Sequence, residues 1–186
     1  NILKKKLIIF IIMDPSQTEM KSETQETHKL NDEWVLWAHL PHDTNWSLTS
    51  YKHIYTFTCV EEVISVLEKL PAELVSNCML FIMRKGINPV WEDPKNRGGG
   101  CFSYKVNNKS VYNCWKNLSY ILTGESLTNK PKIQQTVNGI TISPKKNFCI
   151  IKIWLSTCEY QDPSVVLKIK DLSSEGCLFK RHNPEF

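Results

Sequence analysis

An α+β fold, with an antiparallel sheet and helices packed on one of its faces, follows from three features of this chain. Short apolar runs of strand length are mixed with longer segments of helical periodicity. The two kinds are interspersed without a regular strand–helix–strand repeat, which argues against a parallel sheet. Each helical segment gathers its apolar residues on a single face, so each has one surface to cover. At 186 residues, one domain with its own core is expected.

The elements follow in order. Residues 14–27 are polar and predict a mobile tail. Trp34 to Leu40 reads as a strand. Thr58-Cys59-Val60-Glu61 has a capping-box pattern that opens a helix, with apolar positions Val60, Val63, Ile64 and Leu67, ending before Pro71. Met79 to Met83 and Cys101 to Val106 read as buried strands. Val111, Cys114, Trp115, Leu118, Ile121 and Leu122 share one helical face, with Gly124 as the stop. Cys149 to Leu155 is a further strand. In it Ile151 and Ile153 share one face, while Ile150, Lys152 and Trp154 share the other. Asp162-Pro163 predicts the start of a last helix.

Residues 1–12 stand apart in composition. Lys4 to Lys6 and a short apolar run mimic the front of a signal peptide, but no small-residue cleavage site follows. The run is also too short to span a bilayer, and no membrane partner is expected. The reading preferred here takes Met13 as the start, residues 1–27 as an N-terminal extension and 28–186 as the domain. Without the three leader lysines the charge falls from +4 to +1. The net charge then gives no support to broad nucleic-acid binding, and any basic site must be local. Seven scattered cysteines, odd in number and without a Cys-x-x-Cys pair, predict reduced thiols and a cytoplasmic setting. His39-x-x-His42 lacks supporting metal ligands and reads as two surface histidines.

Trp91-Glu92 is the most informative pair, in Pro89-Val90-Trp91-Glu92-Asp93-Pro94, followed by Gly98-Gly99-Gly100. An exposed indole offers a stacking platform for a flat, preferably cationic heterocycle. The adjoining carboxylate can accept two parallel N–H bonds, such as guanine presents from N1 and its exocyclic amine. Trp46 lies in a polar, turn-like stretch where no core position requires it. Trp154 ends its strand on the face away from the isoleucines. Lys145 and Lys146 sit in the turn before that strand. Trp34, Trp37 and Trp115 fall on amphipathic positions and are expected in the core.

From His28 to about Leu155 the chain resembles the messenger-RNA cap-binding initiation factor 4E family. The motifs are His28-x-Leu30 before Trp34-Val35-Leu36-Trp37, the loop Trp46, Pro89-x-Trp91-Glu92-Asp93, Trp115, Gly124-Glu125-Ser126 and Ile153-Trp154. The resemblance implies a curved sheet, helices on its convex back and a cap slot on the concave face. It further implies a 7-methylguanine base between Trp46 and Trp91, its edge on Glu92 and its methyl group beside Trp154. No cofactor or metal is implied. Capped messenger RNA is the implied partner.

Two regions depart from the family pattern. Cys101 and Ile150 stand where basic residues are usual, leaving Lys145, Lys146, Lys152 and Arg97 as the phosphate candidates. On the convex face, His28, Val60, Ile64 and Lys116 mark the surface where a scaffold factor or binding proteins would dock. Ile64 replaces an aromatic anchor there, and Lys116-Asn117 replaces an apolar–acidic pair, so this docking is expected to be weakened or altered. A cap-binding competitor or repressor is therefore the alternative function. A cap hydrolase is a different class. It would need clustered carboxylates or an activated nucleophile, and no glutamate-rich helix, Gly-x-Ser-x-Gly elbow or phosphate loop is present. The chain thus reads as a non-enzymatic binding protein. A fold that has lost its ligand is the third possibility.

Overall fold

The computed structural model describes Phe10 and residues 27–182. The expected start at Met13, and the tail expected over 14–27 up to residue 26, lie outside the described residues. Phe10 is described, and its ring is buried with the main core.

Seven strands form one antiparallel sheet: β1 (Lys29–His39), β2 (Lys52–Cys59), β3 (Met79–Arg84), β4 (Gly100–Asn107), β5 (Val137–Pro144), β6 (Phe148–Leu155) and β7 (Leu178–Arg181). Their spatial order is β2-β1-β3-β5-β6-β4-β7. Helices α1 (Val60–Lys69), α2 (Ala72–Asn77), α3 (Val111–Thr123) and α4 (Pro131–Gln134) complete the described elements, with two 3-10 turns at Leu48–Ser50 and Pro163–Val165.

Strand alternation divides the molecule into two apolar layers. Trp34, Leu36, Ala38, Phe102, Tyr104, Ile140, Ile151 and Ile153 face the helices and pack with Val63, Leu67, Leu74, Trp115 and Leu118. The opposite face carries a smaller cluster of Phe81, Met83, Ile87, Cys101 and Trp154, with Trp37 and Tyr51 packed against it. The helix-covered convex face is the core that stabilises the fold. Among the described residues, no helix residue joins the smaller cluster on the concave face.

Several local expectations shift. The capping box lies one residue later: Cys59 is the N-cap, and Glu62 takes the Thr58 and Cys59 backbone N–H groups at 2.6 and 3.2 Å. Gly124 ends α3 at φ −81, and the left-handed position falls to Glu125 at φ 51. Asp162 does cap Ser164 N at 2.9 Å, but a single 3-10 turn forms in place of the expected helix. The C-terminal residues Leu178–Arg181 continue the sheet. β7 pairs with β4, with Cys101 opposite Lys180 and Gly100 opposite Arg181. Gly100 makes this close approach possible, while Gly99 lies against the end of β6. A Cβ on Gly99 would overlap the Leu155 carbonyl oxygen, and one on Gly100 the Phe179 ring. All seven cysteines are unpaired.

Candidate functional site

The loop after β1 presents Trp46. Asp43 accepts from Asn45 N, and Asn45 accepts from Ser47 N, both at 2.9 Å. These two Asx turns shape a polar loop. Trp46 stays 56% exposed. One of its faces lies flat on the imidazole of His39, with centroids 4.3 Å apart and planes 2° apart. His39 in turn touches Tyr51 (5.0 Å), and Tyr51 meets Phe81 edge-on (5.4 Å). His39 is therefore buried rather than the surface histidine expected, whereas His42 is exposed.

Trp91 and Glu92 sit on the loop between β3 and β4, not in a strand. Buried Asp93 organises this loop. Its carboxylate accepts from Asn88 N (2.9 Å), Asn88 Nδ2 (3.0 Å) and Lys95 N (2.9 Å). Asn96 Nδ2 donates to the Asn88 and Val90 carbonyls, and Asn138 of β5 donates to Asn96 Oδ1 and the Lys95 carbonyl. Residues on both sides are thus pinned, and Trp91 is left 45% exposed with Glu92 beside it.

Tyr51 connects the two loops. Burial raises its pKa, and the negative charge of Glu92 raises it further.

Trp154 lies on the concave face, as its strand position predicts, beside Phe81, Met83 and Cys101. It is only 6% exposed. His182, just beyond β7, tilts over it with ring centroids 4.4 Å apart. The His182 backbone N–H bonds Gly99 O at 3.0 Å. Burial depresses the His182 pKa to about 4, with the Lys152 ammonium adding to the effect.

The basic candidates separate. Lys145 joins His39, Asp43 and Trp46 in lining a cleft of about 360 Å³. Lys152 faces Ser103 on β4 and Thr141 on β5, and its charge acts on Cys101 and His182. Lys146 and Arg97 are exposed, and no contact among the described residues draws their side chains to the ring cluster. Sequence reasoning missed His39, Tyr51, the Asp93–Asn96–Asn138 network and His182. Only His39 left a signal, two residues after Trp37 on the same strand face.

On the convex face, His28 Nδ1 lies 2.7 Å from Glu61, and its backbone carbonyl accepts from Val60 N at 2.9 Å. The His28 side-chain bond is the first cause holding the Glu61 carboxyl down to about 2. Val60 and Ile64 are exposed, and with Leu30, Glu68 and Tyr120 they line a groove of about 350 Å³. Glu68 holds Lys116 Nζ at 3.0 Å and accepts from the Tyr120 hydroxyl at 2.9 Å. His28, Val60, Ile64 and Lys116 thus share one surface.

A curved antiparallel sheet backed by helices, with exposed Trp46 and Trp91 on two of its loops, defines an α+β protein. The sequence model of the family described as Eukaryotic initiation factor 4E matches residues 29–183, and the chain belongs to that family. It is 29% identical over 161 residues to the eukaryotic translation initiation factor 4E homolog of Acanthamoeba polyphaga mimivirus, covering 70% of this chain and 59% of that protein. Against translation initiation factor 4E-2 of Schizosaccharomyces pombe it is 32% identical over 146 residues, covering 74% of this chain and 57% of that one. The chain therefore spans under two thirds of the length of these relatives. Among solved structures, the fold is shared with schistosome eIF4E complexed with m7GpppG and 4E-BP (TM-score 0.66, 24% identity, 73% of this chain and 75% of that chain). Ascaris suum eIF4E-3 with m7G cap is similar (TM-score 0.65, 22% identity, 75% and 79%).

Proposed function

We propose that this chain binds the 7-methylguanosine 5′ cap of messenger RNA and acts in translation initiation as a binding protein rather than an enzyme. The observation that carries the reading is the link through Tyr51. Trp46 stacks on His39 and His39 touches Tyr51, while the negative charge of Glu92, beside exposed Trp91, acts on that same Tyr51. Family membership and the cap ligands of the schistosome and Ascaris structures support it.

Trp46 and Trp91 would take the two faces of the base, each stack worth about 1–3 kcal/mol. Methylation at N7 makes the base a cation, which adds cation–π attraction. Glu92 would accept the N1 and amino protons in a charge-assisted pair, and Trp154 would border the methyl group. Lys145 and Lys152 are the best-placed phosphate partners, with exposed Lys146 and Arg97 as further candidates. Titrating tryptophan fluorescence with 7-methyl-GTP, and with GTP as control, tests this. Saturable quenching that strongly favours the methylated nucleotide is expected; an equal response to both would sink the sandwich.

A second reading concerns the convex groove. The schistosome structure contains 4E-BP and a C. elegans eIF4E-3 structure contains the 4E-binding protein Mextli, which supports a partner at Val60 and Ile64 here. Lys116 lies against this groove, bound to Glu68. This favours weakened or altered docking, and with it a cap-binding competitor role. A helical scaffold-motif peptide titrated against the cap-loaded protein separates the two roles. Tight binding supports an initiation factor, and failure to bind supports a competitor.

A further inference from the structure

His39 closes β1 on the open sheet face, and as the last residue of its strand beside a polar loop it would ordinarily meet solvent. It is 2% exposed. Three contacts account for that. Its ring is parallel to the Trp46 indole at 4.3 Å. Its Nε2 lies 2.8 Å from the backbone oxygen of Asn45, the residue before Trp46. Its other neighbour is the Tyr51 ring at 5.0 Å and 59°. A carbonyl oxygen only accepts, so Nε2 carries the proton and donates it. One side chain thus holds the indole by its face and the loop by its backbone. The Asx turns around Trp46 supply no apolar packing of their own, so the imidazole is the recorded ring partner that orients the indole.

We propose that His39 is the positioning residue of the base site: it fixes Trp46 as a preformed wall with a single free face for a flat ligand. This rests on the reading of Trp46 as a stacking wall. An indole already held loses less rotamer freedom when a ligand arrives, and binding gains by that difference. The ring and the donor act separately and can be removed separately. His39→Phe keeps a flat ring, His39→Gln keeps a donor, and His39→Leu keeps neither.

The test uses the full chain labelled with 5-fluorotryptophan, the Trp46 resonance being assigned through Trp46→Phe. In the ligand-free protein, His39→Leu should shift and broaden that resonance, and His39→Phe should largely restore it. The 7-methyl-GTP dissociation constant should rise about three- to tenfold in His39→Leu, the range of a lost ring pair. In His39→Phe it should return to within about twofold of the parent. A Trp46 resonance and an affinity both unmoved by His39→Leu would overturn the proposal while leaving cap binding intact. If the parent protein fails to bind 7-methyl-GTP, the cap reading falls, yet the ligand-free resonance still decides the role of His39. Should His39→Leu unfold, His39→Gln gives the same reading, since it removes the ring and keeps the donor; an unmoved Trp46 resonance there also overturns it.

Discussion

The loop that carries Trp46 and the loop that carries Trp91 each hold an exposed indole, and they do so by different physics. Trp46 is held by a ring against its face and one hydrogen bond to the preceding backbone oxygen. Trp91 has no ring contact among those recorded in the described residues. Its position comes from buried polar groups nearby, the Asp93 carboxylate and the Asn96 and Asn138 amides. The difference bears on tolerance. Losing a ring contact forfeits a modest attraction, whereas removing the centre of a buried polar network leaves several donors without partners, which costs more.

The sharpest way to break the comparison is therefore Asp93→Ala. It removes the acceptor of three N–H groups, two of them backbone. A stability loss of about 3 kcal/mol is expected from the stranded donors, read as a lower urea midpoint, together with loss of 7-methyl-GTP quenching. A variant as stable as the parent would show that water replaces the carboxylate and that the loop is not held as described. Next comes Trp91→Ala. Because the indole is exposed, stability should change by less than about 0.5 kcal/mol, while 7-methyl-GTP affinity falls roughly 10- to 100-fold. Unchanged affinity would remove Trp91 from the site. Glu92→Gln is smaller. It keeps the size and loses the charge, so the preference for 7-methyl-GTP over GTP should narrow about tenfold. Equal weakening toward both nucleotides would mean that the carboxylate does not read the cationic base edge.

The same contrast explains what the sequence disclosed. The strands and α3 were legible because period-two and helical patterns record which face is buried, and Trp34 and Trp115 are buried as expected. Trp46 and Trp91 stood out because each sits where no periodic core position requires an indole. The supports of those indoles were hidden. Asp93 and Asn96 look like loop polarity until Asn138, 42 residues further along than Asn96, is folded onto them. His39 looked like a surface histidine because its partners lie in a loop and at the start of the next strand. The C-terminal strand was missed because four residues carry little pattern, and its pairing depends on the close approach that Gly100 allows.

Trp154 shows a third way to hold an indole: it is part of a strand and is covered by a titratable ring. The His182 imidazole is neutral in the fold because burial, reinforced by the Lys152 ammonium, depresses its pKa to about 4. A detached C-terminal segment would take up its proton near the ordinary value of about 6.5. The sign follows. His182 docking contributes fully above about pH 6.5 and is lost as pH falls through about 4, because the detached state binds the proton more readily. Acidification across that window should loosen β7 from β4 and expose Trp154, read as a red shift of its emission with the other five tryptophans replaced one at a time to assign it. His182→Phe keeps an aromatic cover that cannot protonate, so it should abolish the shift while β7 stays paired. A shift that persists in His182→Phe would assign the acid response to another group. The effect is the smallest of the four, since one edge strand of four residues is at stake, yet it bears directly on the cap site. If His182 leaves Trp154 at low pH, the wall proposed to border the methyl group changes its surface while Trp46 and Trp91 keep theirs.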